Sequence, residues 1–439
     1  MWRWLYRVLL LLAWPWVRVR LWMRARREPE YGERIGERFG RVPPGTSVGC
    51  VWFHTVSAGE TIAAAPLIAR LADEFSAVPF LVTTMTPTGS AQVRARLGAR
   101  VDHCYAPYDF PWAVRRFYDR VRPRLLVLME TELWPNLIAE GARRGVPVLL
   151  VNARLSERSA RGYARIGGLT REMLTQVRWL ACQYPEHRRR FLALGAPAER
   201  VSVLGNVKFD VALPDDHGTR VAVLERRFGI SAGSCWIAAS THAGEEDQVL
   251  TAHAEIRRAL PTARLVLVPR HPARASEVAT LCHAHGFSCA RVSEPRGDDV
   301  AADVVLGDTM GELLYLYGLA GAAFVGGSLD GGGGHNPIEP SLCGVPVAMG
   351  PAVFNFADVV EPFRSGGCLE LVTDAASLAR VVGSWLADPG YARQLGARAR
   401  ALVAENRGAS ARLQVLVAEQ IRAAGAADGV ALNTAAPRT

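Results

Sequence analysis

The sequence predicts an α/β protein of two doubly wound domains, and three observations lead to this prediction. The chain has 439 residues, which is more than a single hydrophobic core usually serves. Apolar segments of strand length alternate with amphipathic segments of helix length, a pattern typical of parallel sheets covered on both faces. The segment 205–220 is rich in turn residues and separates a first set of such segments from a second, so it marks the domain boundary.

The spacing of the apolar residues places the individual elements. In the first set we expect strands at 51–54, 80–83, 125–129 and 148–151. The helices of this set are expected at about 61–74, 88–97, 111–120, 136–144 and 160–177. In the second set we expect strands at 236–239, 265–268, 304–306, 322–325 and 345–349. Residues after about 390 predict an alanine-rich helix that packs back on the first domain, and a frayed tail is expected from Gly425 onward.

The first 27 residues differ from the rest of the chain. Residues 8–17 are apolar, and seven arginines precede the first acidic residue, Glu28. The tryptophans of this segment are typical of a membrane–water interface. A full span needs about 20 apolar residues, and Arg7 and Arg18 interrupt this run, while no signal-peptide cleavage site follows it. We expect a membrane-associated segment over 1–27, either a short span or an interfacial helix; the alternative is a helix packed on the protein's own core.

Composition narrows the possible partners. The chain has 51 basic and 42 acidic residues, a formal charge of +9, which suits nucleic acid, an anionic membrane surface or a phosphorylated substrate. We find no nucleic-acid motif, so no nucleic acid is expected as a partner. The eight cysteines form neither a Cys-x-x-Cys pair nor a Cys/His metal spacing, which fits reduced thiols in the cytosol. No metal and no cofactor are expected.

The segment 331–351 contains the most informative pattern. Its four glycines, ending at Gly334, let backbone amides approach a ligand with no side chain in the way. Asn336 is a good N-cap and Pro337 a good first helical residue, so we expect a helix there whose amide end suits a phosphate. Glu339 lies in the first turn, where its carboxylate can accept hydrogen bonds from a ribose diol. For the glycines alone, a structural turn is the alternative.

Carboxylates follow two expected strands of the first domain. Glu60 comes after strand 51–54 at the start of a helix, beside a glycine that leaves room for a substrate, and a plain answer to the helix dipole is the alternative. Glu130 and Glu132 end strand 125–129 and share a face in extended geometry. They form either a paired-carboxylate site or simply the end of a strand before a helix capped by Asn136.

Polar residues also follow the next expected strands. Asn152, Arg154 and Arg158 are suited to bind phosphates, although solvated helix charge explains Arg158 equally well. In the second domain, Ser240 and Thr241 lie between a strand and a helix, where hydroxyls and amides can bind a phosphate.

Two further segments follow strands of the second domain. Pro269 and Arg270 end strand 265–268, and an arginine there can bind a phosphate through two hydrogen bonds, whereas the neighbouring His271 fits a structural role. Gly307 and Met310 belong to a segment expected to present backbone groups near a base; Asp308 in the same segment also fits a plain helix N-cap.

The ordered set of motifs resembles the 3-deoxy-D-manno-octulosonic acid (Kdo) transferases of lipopolysaccharide synthesis. The matching segments cover roughly residues 31–360 and occur in the order of that family: 54–60, 83–89, 108–109, 130–136, 152–158, 208–210, 240–242, 269–272, 307–312 and 331–351. The pattern departs at Ala58, where the family usually has Val, and at Ala243 and Ala273, where it usually has Glu. These departures leave any role of the three positions open.

The resemblance implies a glycosyltransferase of the GT-B type, with two Rossmann-like domains facing across a cleft. It implies an acceptor domain over 28–210, a CMP-Kdo domain over 211–400 and a C-terminal helix and tail over 401–439. Glu60 would be the general base, and Glu130, Glu132, Asn152 and Arg154 would serve the acceptor. The donor residues implied are Ser240, Thr241, Pro269, Arg270, Gly307, Met310, Gly334, Asn336 and Glu339.

The activity implied is transfer of Kdo from CMP-Kdo to a lipid A precursor (lipid IVA), with inversion and release of CMP. The enzyme would work at the cytoplasmic face of the cell inner membrane. Two alternatives remain at this point: another sugar-nucleotide enzyme on the same scaffold, of the UDP-N-acetylglucosamine transferase or epimerase type, and a non-catalytic membrane-bound nucleotide-sugar sensor. The number of Kdo residues added cannot be read from the sequence.

Overall fold

The computed structural model describes residues 2–231, 233–294, 300 and 302–427, and it divides into two compact units. Unit 1 contains the chain up to Asp210 and again from Arg407, and unit 2 is Val211–Asn406. The expected boundary after residue 400 is wrong, because it falls inside a helix, Pro389–Glu405. The expected boundary after residue 27 is not a division either, because the first helix belongs to unit 1.

Unit 1 is built on one parallel sheet. Its strands are β1 (Val51–His54), β2 (Phe80–Thr84), β3 (Asp102–Tyr105), β4 (Leu125–Met129), β5 (Val148–Ala153), β6 (Trp179–Cys182) and β7 (Val201–Val203). The strand order is β3-β2-β1-β4-β5-β6-β7. Alternate side chains of β1 enter two different cores: Val51 and Phe53 pack on one face, and Trp52 packs on the other. The sheet is therefore doubly wound, with a hydrophobic core on each of its faces.

The helices of unit 1 cover both faces of this sheet. They are α1 (Trp2–Arg27), α2 (Ala58–Glu74), α3 (Pro87–Leu97), α4 (Pro111–Val121), α5 (Pro135–Arg143), α6 (Glu157–Arg165), α7 (Gly167–Gln176), α8 (Pro185–Ala193) and, after unit 2, α17 (Ala409–Ala427). The single helix expected at 160–177 is two helices, because Ile166 leaves the helical conformation with ψ near 37°. As expected, α17 returns to unit 1, where Leu413, Val417 and Ile421 complete the core beside α2.

Helix α1 packs along unit 1. Tyr6 Oη donates a hydrogen bond of 2.9 Å to Asp109 Oδ2, and Arg7 Nε donates one of 2.8 Å to Asn136 Oδ1. The indole of Trp14 lies edge-on against three rings at centroid distances of 4.9, 5.1 and 5.5 Å, those of Phe39, Phe110 and Trp112. The helix therefore contributes to the packing of unit 1, which was the alternative interpretation of this segment.

The other face of α1 is apolar and exposed. Trp4, Leu12 and Trp16 have 70%, 72% and 59% of their surface accessible. In the described part of the chain, no helix is both long enough and apolar enough to cross a membrane. Membrane association of α1 stays a prediction, and the short-span version of it has no support.

Unit 2 repeats the architecture. Its strands are β8 (Cys235–Thr241), β9 (Arg264–Pro269), β10 (Cys289–Arg291), β11 (Val304–Leu306), β12 (Ala320–Val325), β13 (Val347–Met349) and β14 (Leu369–Leu371). All pair in parallel in the order β10-β11-β9-β8-β12-β13-β14. The helices are α9 (His217–Phe228), α10 (Glu245–Ala259), α11 (Ala275–Ala284), α12 (Leu313–Tyr317), α13 (Ile338–Leu342), α14 (Ala357–Ser365), α15 (Ala375–Ala387) and α16 (Pro389–Glu405).

Candidate active site

Glu60 lies at the carboxyl end of β1, in the first turn of α2. Ser57 caps this helix by accepting the Glu60 N–H, and its hydroxyl donates in return to Glu60 Oε1 over 3.0 Å. The N–H of Val56 donates to Glu60 Oε2 over 2.9 Å. The side chain is therefore fixed at the loop that joins the central strand to its helix, as a capping box would fix it.

The electrostatic surroundings of Glu60 oppose its ionisation. Burial, followed by the charges of Glu130 and Glu132, raises the pKa of Glu60 to about 8, while the hydrogen bonds from Val56 and Ser57 act in the opposite direction. Desolvation thus outweighs the helix end, which by itself would favour the ionised form. A carboxyl group with a pKa near the working pH is suited to general-base catalysis.

Glu130 follows β4 in a left-handed backbone conformation, with φ of 54°. The extended geometry expected for 130–132 is therefore wrong. The Glu130 carboxylate pairs with Arg154 Nε at 3.3 Å and with Lys208 Nζ at 3.5 Å. A non-glycine residue held in this region is strained and needs support from its surroundings, and such residues concentrate at functional sites.

Glu132 belongs to the turn that leads into α5. Its carboxylate accepts a hydrogen bond of 2.7 Å from Trp134 Nε1, and burial raises its pKa. Trp134 in turn packs edge-on against His54, with ring centroids 4.8 Å apart. Burial lowers the pKa of His54 to about 4, so this histidine is neutral at physiological pH. Three carboxyl groups of the sequence-based site, Glu60, Glu130 and Glu132, thus interact in one cluster.

The side chain of Asn152 supports the turn that carries Lys208. Asn152 is fully buried, has a φ of 50°, and accepts the Val207 N–H at its Oδ1 over 3.2 Å. This bond holds the turn that presents Lys208 to Glu130. Asn152 was expected to serve the acceptor. Its burial argues against a direct contact, and its role in acceptor binding stays a prediction. Lys208 was not among the expected site residues, although its Lys-Phe-Asp motif was part of the resemblance.

In unit 2, Ser240 and Thr241 end β8. Ser240 has a φ of 56°, the third strained residue at the end of a strand. Thr241 is fully buried, and its hydroxyl donates to Glu246 Oε1 over 3.1 Å. Its hydroxyl is therefore occupied within the protein, whereas Ser240 is half-buried and its role in phosphate binding stays a prediction.

Glu245 organises the loop that follows β12. One carboxylate oxygen accepts the N–H groups of His242 and Gly327 at 2.9 and 2.7 Å, and the other accepts those of Ser328 and Leu329 at 3.0 and 2.9 Å. In the sequence, nothing beyond its place in the first turn of α10 distinguishes Glu245. Four backbone donors on one fully buried carboxylate fix the peptide that leads into the glycine run.

The glycine run itself has the backbone freedom expected of it. Gly331, Gly333 and Gly334 have φ values of 86°, 94° and 75°. A Cβ atom on Gly333 would overlap the side chains of Asn355 and Phe354, so a larger residue would have to displace them and also adopt a strained backbone conformation.

Helix α13 begins one residue later than expected, at Ile338, with Pro337 in the N-cap position. Asn336 still performs capping, because its Oδ1 accepts the Ile338 N–H over 3.1 Å. Glu339 follows in the first turn, and burial raises its pKa. A glycine loop, a capped helix start and a carboxylate thus follow one another here, and their role as a nucleotide site stays a prediction.

Three histidines meet beside this loop. His242 Nδ1 lies 2.8 Å from Asp330 Oδ2, and His242 Nε2 lies 2.9 Å from His335 Nε2. His271 stacks on His242 with ring centroids 6.4 Å apart. Burial and the neighbouring cations lower the pKa of His335 to about 4. His271 therefore belongs to this cluster, which the sequence spacing did not reveal.

The remaining donor residues are placed at strand ends. Pro269 is buried at the end of β9, and Arg270 is exposed, with its N–H bonded to Thr241 O over 2.9 Å. Gly307 follows β11, where a Cβ would press on Val268 and Leu316, and Met310 is 75% exposed.

The alternative role of Asp308, as a helix N-cap, is wrong, because the next helix, α12, begins only at Leu313. Asp308 accepts hydrogen bonds from the N–H and hydroxyl of Ser293. Among the described residues, no group of three or more His, Cys, Asp or Glu side chains forms a metal site.

Known proteins match this chain over most of its length. The family described as 3-deoxy-D-manno-octulosonic-acid transferase (kdotransferase) matches residues 33–211. The chain is 38% identical to the 3-deoxy-D-manno-octulosonic acid transferase of Haemophilus influenzae, over 94% of this chain and 97% of that protein. It is 37% identical to the Bordetella pertussis enzyme of the same name, over 91% and 94%.

The fold also has distant structural neighbours. UDP-GlcNAc 2-epimerase from Neisseria meningitidis, 14% identical, matches 84% of this chain and 99% of its own with a TM-score of 0.53, which shows a common fold only. The resemblance found in the sequence is confirmed by the close relatives. This chain belongs to the 3-deoxy-D-manno-octulosonic acid (Kdo) transferase family.

Proposed function

We propose that this protein transfers Kdo from CMP-Kdo to a lipid A precursor, lipid IVA, with inversion at the anomeric carbon. The observation that supports this most is the carboxyl group of Glu60. Its pKa of about 8 and its fixed position suit a group that takes a proton from an acceptor hydroxyl. The proton moves to Glu60 as the hydroxyl oxygen attacks the anomeric carbon, and the bond to the CMP phosphate breaks.

The surroundings of Glu60 suit a sugar acceptor. Burial, followed by the charges of Glu130 and Glu132, raises the pKa of Glu60, and Glu130 also pairs with Arg154 and Lys208. Direct displacement by one base, with no protein nucleophile, leads to inversion. The fold proposed for this reaction is of the GT-B type, with the acceptor served by unit 1 and the donor by unit 2.

The donor would bind in unit 2. The glycine loop offers backbone amides, the exposed Arg270 offers a guanidinium, and Glu339 offers a carboxylate to the ribose. The leaving group is a monophosphate ester, whose charge an arginine and a helix start can stabilise. The exposed apolar face of α1, with its arginines, would keep the enzyme at the cytoplasmic face of the inner membrane.

Product analysis tests this proposal. The protein, lipid IVA and a CMP-Kdo supply are combined, and mass spectrometry follows Kdo-lipid while chromatography follows CMP. Wild-type protein should form both, and Glu60→Gln should lower the single-turnover rate by about 10²–10⁴ while CMP-Kdo affinity stays within a few-fold. Glu157→Gln, an exposed acid of α6, is the matched control. Full activity of Glu60→Gln, or transfer from a UDP-sugar instead, would refute the assignment.

A further inference from the structure

A basic cavity of about 250 Å³ lies between α1 and the loops that follow β1 and β2. Its charged lining residues are Arg20 and Arg24 of α1 and Arg38 of the segment after it, and no acidic residue appears in the lining that the structure describes. Thr86 and Tyr108 add hydroxyl groups. Three guanidinium groups around one cavity suit a multiply charged anion with several acceptor oxygens.

Arg38 gives this cavity its most specific feature. The residue is only 1% exposed, and its Nη1 donates to Met85 O over 3.0 Å. Its Nε and Nη2 are buried without a hydrogen-bond partner in the described structure. The nearby carboxylate of Glu37 already accepts the Tyr105 N–H and pairs with Arg34. The guanidinium lies over the rings of Tyr105 and Tyr31, at 4.1 and 5.6 Å from their centroids, which offsets part of the cost of its burial. An anion would satisfy its two unused donors.

An apolar groove of about 570 Å³ adjoins this cavity along α1, and Leu21 borders both spaces. The groove is lined by the rings of Trp14, Trp22, Phe39 and Trp112, with Arg18, Arg41 and Arg116 among its other residues. A basic cavity beside an aromatic groove suits a molecule that has an anionic group and a hydrocarbon chain.

The basic cavity is adjacent to the catalytic loop. Val56 is one of its lining residues, and the N–H of Val56 holds Glu60 Oε2 at 2.9 Å. The carbonyl of Val56 accepts the N–H of Met85, the residue whose own carbonyl binds Arg38. An anion in this cavity is therefore separated from the base by one short, hydrogen-bonded segment.

We propose that the cavity of Arg20, Arg24 and Arg38 binds a phosphate group of the amphiphilic acceptor, whose hydrocarbon part follows the aromatic groove. This inference rests on the lipid acceptor of the proposed function and adds the part of the protein that recognises its phosphate. Helix α1 is then part of the acceptor site, and not only a means of attachment.

Calorimetry on the full chain in decyl maltoside tests the site without catalysis. Dodecyl phosphate should bind at least tenfold more tightly than inorganic phosphate and dioctanoyl phosphatidylglycerol. Arg20→Gln/Arg24→Gln and, separately, Arg38→Gln should each weaken dodecyl phosphate at least tenfold. Arg27→Gln/Arg189→Gln, which removes two exposed charges of unit 1 outside both cavities, should change it less than twofold. The Arg20/Arg24 variant keeps the test valid if Arg38→Gln fails to fold.

The outcomes separate the possible sources of the anion. Equal loss in the Arg20/Arg24 variant and the Arg27/Arg189 control would mean general charge attraction and would overturn the site. Equal affinity for inorganic phosphate would overturn the amphiphile, and equal affinity for phosphatidylglycerol would assign the cavity to bulk lipid headgroups.

Kinetics then connects the site to transfer. With lipid IVA, Arg20→Gln/Arg24→Gln should raise the acceptor KM at least tenfold and leave kcat within threefold, whereas an acceptor without phosphates should not distinguish it from wild type. An unchanged KM would refute the acceptor assignment. If wild-type protein transfers no Kdo while dodecyl phosphate binds as expected, the proposed function fails and the phosphate site stands.

Discussion

Tyr6 of α1 donates a hydrogen bond of 2.9 Å to the buried carboxylate of Asp109. The same carboxylate accepts the N–H groups of Asn136 and Leu137 at 2.9 and 2.8 Å, and so it caps the start of α5. Asp109, and not Asn136 as expected, is therefore the residue that satisfies this helix end. Because α5 follows directly on the Glu132 turn, the position of α1 is connected to the acidic cluster.

Loss of the Tyr6 hydroxyl should destabilise unit 1. Tyr6→Phe leaves Asp109 with one donor fewer in a buried place, which costs about 1–2 kcal/mol. Urea unfolding followed by circular dichroism measures it, with the exposed Tyr391→Phe as control.

Removal of residues 1–27 should cost unit 1 more than Tyr6→Phe does, because Trp14 also covers Phe110. CMP binding, which we assign to unit 2, should survive. A truncated protein as stable as wild type would show that α1 only rests on the surface.

The transfer rate should depend on the ionisation of Glu60. A base must be unprotonated to act, so the single-turnover rate should rise with pH and level off above about pH 8, the raised pKa of Glu60. Glu132→Gln removes a charge that raises this pKa and should move the midpoint downward by roughly 0.5–1 unit. Glu157→Gln should leave the midpoint in place. A midpoint near pH 4.5 in wild type would contradict the desolvated base.

The nucleotide should lose affinity when its charged contacts are removed. Arg270→Ala and Glu339→Ala should each weaken CMP binding by about 1.5–3 kcal/mol, as the loss of a charged hydrogen bond does. Calorimetry with CMP measures this, and Arg258→Ala and Glu255→Ala, exposed residues of α10, serve as controls. Unchanged affinity in both site variants would place the nucleotide elsewhere.

The carboxylate of Glu245 accepts the N–H groups of His242 and of residues 327–329, and we expect this role to be lost when one carboxylate oxygen is replaced by an amide. Glu245→Gln replaces a carboxylate oxygen, which accepts two N–H groups, with an amide that is itself a donor. We expect unit 2 to lose about 2–4 kcal/mol of stability and CMP to bind more weakly. Asp247→Asn, at an exposed site of the same helix, should cost under about 0.5 kcal/mol. Equal effects of the two substitutions would contradict this role of Glu245.

The sequence by itself determined the two parallel-sheet domains and most of the central strands. Strands β1, β4 and β11 begin and end where expected, because a strand buried on both faces must be a continuous apolar run. The missed strands β3, β6, β7, β10 and β14 lie at or near the sheet edges, where the runs are short or polar. Glu60, the glycine loop and Glu339 could also be found from the sequence, because a strand end, a glycine run and a cap have local signatures.

Only the tertiary structure decided which groups act together. The raised pKa of Glu60 depends on burial and on two carboxylates about 70 residues away in the chain, and Lys208 reaches Glu130 from a different strand end. The strained backbone of Glu130, Asn152 and Ser240 leaves no trace in residue type. The hydrogen bond of α1 to Asp109 could not be predicted from the sequence either. The sequence of an amphipathic helix shows that the helix has an apolar face, but it does not show which surface that face will cover.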